Sequence, residues 1–177
     1  KGIGALYVGP RAQQRVQAQI HGGGHESGLR SGTLATHQIA GMGAAFALAA
    51  GVFDEEKKSI VALRERLLEQ LLSLPGVRLN GSARQRIAHT LSLTFSEGDF
   101  NSAALSHSIA FSATSACNSA SNAPSHVLLA LGHDARLAGR TIRLSLGRFT
   151  TAEDVDKACE LIKTACASAP AFWATGL

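Results

Sequence analysis

Five aliphatic residues, Ile60, Leu63, Leu67, Leu71 and Leu74, recur three or four positions apart, a spacing that puts them on one side of an α-helix. The charged stretches Asp54–Lys58 and Arg64–Arg66 supply its wet side, and Pro75-Gly76 ends it. A helix of this kind, over about Val52 to Leu74, needs an apolar layer to lie against. Two later stretches offer one. Ile87, Leu91, Leu93 and Phe95 fall at even spacings among His89, Thr90, Ser92 and Thr94, which predicts a half-buried strand. In Thr141–Phe149 a period of two sends Ile142, Leu144 and Leu146 to one face and Arg143 and Ser145 to the other. The expected fold class is therefore α+β, an α/β layered domain of three or four short strands covered by helices.

The remaining elements are read from the same signals. Ala5–Val8 reads as a buried strand and Gly9-Pro10 as a turn, while Arg11–Gln19 is polar and unassigned. Leu34 to about Ala50 reads as a buried helix with Thr33 as its N-cap and Gly51 as its stop. Val77–Leu79 reads as a short strand followed by the turn Asn80-Gly81-Ser82. A short helix is expected over Phe100–His107, a strand over Ile109–Phe111, and a helix from Pro124 to about Leu131 stopped by Gly132. The last helix spans about Ala152 to Ser168 with Thr151 as its cap. Residues 1–33 read as the exit from a neighbouring domain and 34–177 as a small domain of their own.

The chain has 177 residues, of which 45% are apolar, enough to bury a core. No apolar run in this reading reaches a bilayer's thickness, and there is no basic segment followed by a hydrophobic one, so neither a membrane span nor a secretory signal is expected. The net charge of +4 and sequence pI of about 9.3 invite a nucleic-acid reading. The twelve arginines form no dense tract, however, and there is one Trp and one Tyr for stacking, so nucleic acid is not an expected partner. Three cysteines without paired spacing argue against a disulfide framework or zinc ribbon and for a reducing compartment.

Two loops carry chemistry. The first, His21–Thr33, holds five glycines, which let the backbone approach a ligand or another subunit closely. If Thr33 opens the next helix, its hydroxyl, the free amides of the first turn and nearby Arg30 could hold a phosphate; equally, Thr33 could merely cap. His21 and His25 suggest zinc, but an H-G-G-G-H loop lacks the rigid helical face on which such ligands converge. The second loop, Ser112–Ser121, is built of small and hydroxylated residues around Cys117. Cys159 and Cys166 share a helical stripe with Val155 and Ile162 and read as packing residues. Cys117 has no such stripe; an exposed thiol on a polar loop suits a nucleophile or sulfur carrier, and is equally consistent with an incidental surface cysteine.

HGGGHESGLRSGT at His21–Thr33, SACNSAS at Ser115–Ser121 and IRLSLGRFTT at Ile142–Thr151, in this order and spacing, resemble the C-terminal part of the pyridoxal-phosphate-dependent cysteine desulfurases, the iron–sulfur cluster branch of the class V aminotransferase family. KGIGALYV and THQIAGMGAA match as well, so the resemblance covers nearly the whole chain. It implies the small domain of a fold-type I pyridoxal-phosphate transferase, preceded over 1–33 by the end of the large cofactor-binding domain. It also implies transfer of sulfur from L-cysteine to a cysteine persulfide with release of L-alanine, for iron–sulfur cluster assembly or other sulfur transfer.

By the same resemblance Cys117 is the catalytic nucleophile and sulfur carrier, Arg143 grips the substrate carboxylate, and Thr33 reaches the cofactor phosphate across a homodimer interface. The implied partners are L-cysteine, an N-terminal half, a homodimer partner and an iron–sulfur scaffold or other sulfur acceptor, in the cytoplasm or an organelle matrix. The lysine that bears pyridoxal 5'-phosphate in the family lies a few residues upstream of the matching segment, so Lys1 is not that residue. The expectation is a C-terminal portion of a longer enzyme that does not bind the cofactor covalently and is inactive alone. Ala113-Thr114 stands where relatives often carry Ser-Gly, and the ending at Leu177 is shorter than tails that recruit the scaffold. A non-catalytic sulfur carrier or dimerisation module is the alternative.

Overall fold

A computed structural model describes residues 2–12, 15–98, 100–113 and 123–167. They form two compact units, Lys1–Phe53 and Asp54–Leu177. The boundary between these units falls inside a helix, Thr36–Leu72.

In the first unit the expected strand Ala5–Val8 is absent: residues 2–9 carry no regular structure, and Leu6 and Tyr7 are 79% and 89% exposed. A strand exists only through a partner's hydrogen bonds, and no described strand runs beside it. The glycine loop is tightly folded on itself. Gly28 N–H reaches the carbonyls of Gly24 and His25, and Ser31 N–H reaches Ile20. Gly24 sits at φ +75°, which only glycine adopts freely.

The two helices expected over 34–50 and 52–74 are one, α1, Thr36–Leu72. Gly51 does not stop it, because a glycine ends a helix by taking positive φ and Gly51 does not; in a helix it costs only about 1 kcal/mol against alanine. Nor does Thr33 cap it. The first helical hydrogen bond runs from Ile39 N–H to Ala35 C=O, which leaves Thr33 too far ahead to reach the first-turn amides. The part expected to be buried is open, with Phe46 65% and Leu48 54% exposed. By length and composition alone α1 is also long and apolar enough to cross a membrane, which the two-helix reading had not anticipated.

The second unit is built on three antiparallel strands in the order β1 (Val77–Leu79), β2 (Thr90–Phe95), β3 (Thr141–Ser145). The register pairs Val77 with Phe95, Leu93 with Ile142 and Ser92 with Arg143. Leu91, Leu93, Phe95, Ile142 and Leu144 are buried together with Leu67 and Leu71 of α1 and with Val155, Cys159 and Ile162 of α4 (Ala152–Ala167). This is the apolar layer that the leucine stripe requires. Pro75-Gly76 ends α1 as expected: Gly76 lies at φ +70°, and a Cβ there would stand 2.7 Å from the Glu97 nitrogen.

α4 starts on a reciprocal cap. Asp154 N–H donates to Thr151 Oγ1 at 3.1 Å, and Thr151 N–H donates to Asp154 Oδ2 at 2.9 Å. Elsewhere the elements are shorter than expected. Phe100–His107 contains only the 3-10 turn Ser102–Leu105, and Ile109–Phe111 forms no strand, since Ser112 alone pairs there with Arg143. The helix after Pro124 is α2, His126–Ala130. A further helix, α3, Ala135–Gly139, was not expected; it is capped by Asp134 Oδ1, which accepts from Leu137 N–H at 2.7 Å.

Candidate functional site

β3 is a strand because its neighbours accept alternate side chains on opposite faces. Ile142 and Leu144 go to the core, and Arg143 is left exposed, as its period-two position required. The same face carries Ser92, Thr94 and Thr141, and behind them a buried polar chain. Asn80 Nδ2 donates to Ser92 Oγ at 3.1 Å and to Thr94 Oγ1 at 2.9 Å. Thr94 and Thr141 hydroxyls are 2.7 Å apart. Thr141 spends its proton on the Leu137 carbonyl at 2.9 Å, so the proton between the two hydroxyls is Thr94's. Asn80 Oδ1 lies 2.8 Å from His133 Nε2 and can only accept, which places the His133 proton on Nε2. The chain of bonds ties the turn between α2 and α3 to the sheet and steadies the strands that carry Arg143.

Arg143 is held on its other side by Ser112. Ser112 N–H donates to the Arg143 carbonyl at 3.0 Å, and Arg143 N–H donates to the Ser112 carbonyl at 2.7 Å. Arg143 Nη2 lies 3.3 Å from Ser112 Oγ. Four other cations of this unit are paired with carboxylates: Arg66 with Asp156, Arg148 with Glu56, Arg64 with Glu65 and Lys58 with Glu55. Among the described residues Arg143 has no carboxylate partner. Its planar fork is open to an incoming anion, and a carboxylate matches it with two parallel hydrogen bonds.

Thr33 lies in the first unit, exposed, just ahead of α1. Around it Arg30 Nη1 donates to the Gly32 carbonyl at 3.0 Å, Gly32 N–H donates to His25 Nδ1 at 3.4 Å, and Gly24 N–H donates to Ser31 Oγ at 3.2 Å. His25 thus serves the loop, and no cluster of three or more metal-binding side chains forms among the described residues. Cys117 lies outside the described residues. Cys159 is fully buried, and burial pushes its thiol up to about 11; burial raises partly buried Cys166 too. Both match the packing role read from the sequence. A cavity of about 290 Å³ opens beside Ile109, Leu144, Leu146 and Lys157, and Arg143 does not line it. Ser112 and the Asn80–His133 pair were not singled out from the sequence. The Asn-Gly turn and the alternation of Thr90–Phe95 located Asn80 and the threonines, but only the register brings them together.

An open arginine on a short three-stranded sheet, packed on two helices and joined to a glycine-rich loop ahead of a long helix, is an arrangement that comparison with known proteins places. The chain belongs to the aminotransferase class-V family, whose profile matches residues 1–158. It is 53% identical over 165 residues to the cysteine desulfurase IscS of Methylococcus capsulatus and 51% identical over 166 residues to that of Methylobacillus flagellatus. These alignments cover 92% and 93% of the chain and 41% of each relative, so the chain spans about two fifths of the length of the curated relatives it matches. Among solved structures it is similar to a NifS-like protein of Rickettsia africae (TM-score 0.71, 27% identity, 86% of this chain and 40% of that one). A second NifS-like protein is also similar (TM-score 0.66, 32% identity, 85% and 38%). The layered α+β fold and the resemblance read from the three motifs both stand.

The family implies pyridoxal 5'-phosphate. Two of the residues present suit its phosphate end, the exposed Thr33 hydroxyl and the Arg30 cation close by. The residues present do not fit its ring, because up to Phe53 the chain has one lysine, Lys1, and one acid, Glu26.

Proposed function

We propose that these residues form the substrate-gripping and sulfur-accepting part of a cysteine desulfurase, working in a protein that joins them to a segment bearing the cofactor lysine. The observation that carries this reading is the run of three motifs within a chain about half identical to cysteine desulfurases over more than nine tenths of its length. Bound pyridoxal 5'-phosphate supplies the electron sink at the substrate's carbon skeleton. Arg143 binds the carboxylate of L-cysteine through its fork and fixes the direction in which the sulfur points. The Cys117 thiolate attacks that sulfur; the S–S bond forms as the C–S bond breaks, and the electron pair stays with carbon, which takes a proton and leaves as L-alanine. Cys117 then holds a persulfide for an iron–sulfur scaffold or another acceptor. Thr33 would hold the phosphate of the bound cofactor, donating its hydroxyl across a homodimer interface. A thiolate that must stay reduced between turnovers suits the cytoplasm or an organelle matrix.

The test joins this chain to the lysine-bearing segment and follows alanine release and persulfide labelling. Cys117→Ala is expected to abolish alanine release while leaving cofactor absorbance intact, and Arg143→Lys to raise KM for L-cysteine, since a point charge replaces a two-pronged donor. Undiminished alanine release by Cys117→Ala would overturn the assignment. Persulfide loading of this chain without cofactor would mark a sulfur carrier instead.

A further inference from the structure

Arg143 carries a long side chain with many rotamers, and a flexible guanidinium is a poor anchor for a small carboxylate. Its backbone is fixed from both sides: in the register it stands opposite Ser92 of β2, and its own N–H and C=O both point the other way, to Ser112, at 2.7 and 3.0 Å. That reciprocal pair brings the Ser112 hydroxyl alongside the guanidinium, with Oγ 3.3 Å from Nη2. Ser112 is half-buried and Arg143 exposed, so the hydroxyl is the better fixed of the two.

We propose that Ser112 is the positioning residue for Arg143: its hydroxyl accepts from Nη2 and holds the guanidinium so that the rest of the fork faces an incoming carboxylate. The inference rests on the reading of Arg143 as the carboxylate grip. The chemistry is consistent on both sides. A guanidinium has five N–H donors and the hydroxyl engages one, which leaves enough for a bidentate carboxylate. The hydroxyl accepts that bond and keeps its own proton, which it can donate to the same carboxylate. No carboxylate of the described chain competes for the fork. Orienting the arginine before binding removes part of the ordering cost that the substrate would otherwise bear, an effect felt equally in the ground and transition states.

The experiment measures L-cysteine turnover by the joined protein carrying Ser112→Ala or Ser112→Thr. Alanine keeps the backbone pairing and removes only the hydroxyl; threonine keeps both. Ser112→Ala is expected to raise KM roughly threefold to tenfold, the range of one ordinary hydrogen bond, with kcat unchanged, the pattern of lost uniform binding. Ser112→Thr is expected to restore KM. In this chain alone, nitrogen NMR of the Arg143 guanidinium is expected to show faster rotation about its Cζ–Nε bond in Ser112→Ala than in the parent and Ser112→Thr. Equal KM values and equal rotation rates in all three proteins would overturn the proposal, as would a threonine variant as impaired as alanine. If Arg143→Lys raises KM and Ser112→Ala does not, only this inference falls. If Arg143→Lys itself leaves KM unchanged, the carboxylate reading falls with it.

Discussion

Asp156 shows what one residue does when two elements meet over it. Its carboxylate takes two bonds from Arg66, both at 2.7 Å, and one from Gln70 at 2.9 Å. The Arg66 and Gln70 hydrogen bonds hold it well below the usual carboxylate range, at about 2. A carboxyl whose folded value is depressed stabilises the fold above its ordinary value near 3.8 and loses that contribution as pH falls through the folded value. Between pH 4 and 2 the clasp between α1 and α4 should therefore fade. Asp156→Asn is expected to flatten the acid limb of a plot of urea midpoint against pH in that window, and to lower the plateau at pH 7 modestly because the pair is exposed. Arg143 differs from Arg66 in this respect: the chain spends the charge of Arg66 on itself and leaves that of Arg143 unspent.

At the scale of elements, what could be read from the sequence was periodicity with a local cause. β2, β3 and α4 were legible because Leu91, Leu93, Ile142, Leu144, Val155 and Cys159 repeat at the period of their own element and Thr151 announces a start. The exposed position of Arg143 followed from the same alternation. What was not legible depended on partners. Ala5–Val8 has a strand's composition without a described partner, Ile109–Phe111 meets the sheet only next door at Ser112, and α3 is too short for a period to show. The fusion of two expected helices into α1 follows from how little a mid-helix glycine costs. It also gives a prediction. A Cβ on Gly51 meets nothing within 4 Å and its φ is not positive. Gly51→Ala should therefore raise stability by about 0.5–1 kcal/mol, read as a higher urea midpoint with an unchanged slope.

At the largest scale, within the second unit, a chain of polar bonds joins parts that lie outside the apolar core. The turn between α2 and α3 reaches the sheet through His133, Asn80, Thr94 and Thr141, and Thr94 stands at the middle of the chain, only 1% exposed. Thr94→Val keeps the shape but leaves an Asn80 amide hydrogen and a Thr141 lone pair without their partner. The expected loss is about 2 kcal/mol, measured as the shift in urea midpoint, with amide exchange quickening at Leu137 and His133 rather than across the core.

Ser112 has one more consequence, which concerns neighbours rather than chemistry. β3 lies at the margin of the sheet, and the N–H and C=O of Arg143 are outward-facing groups there that a stranger's strand could capture. By occupying both, Ser112 withdraws the middle of that margin from capture, so the residue set beside the arginine also leaves an incoming strand less edge to zip onto.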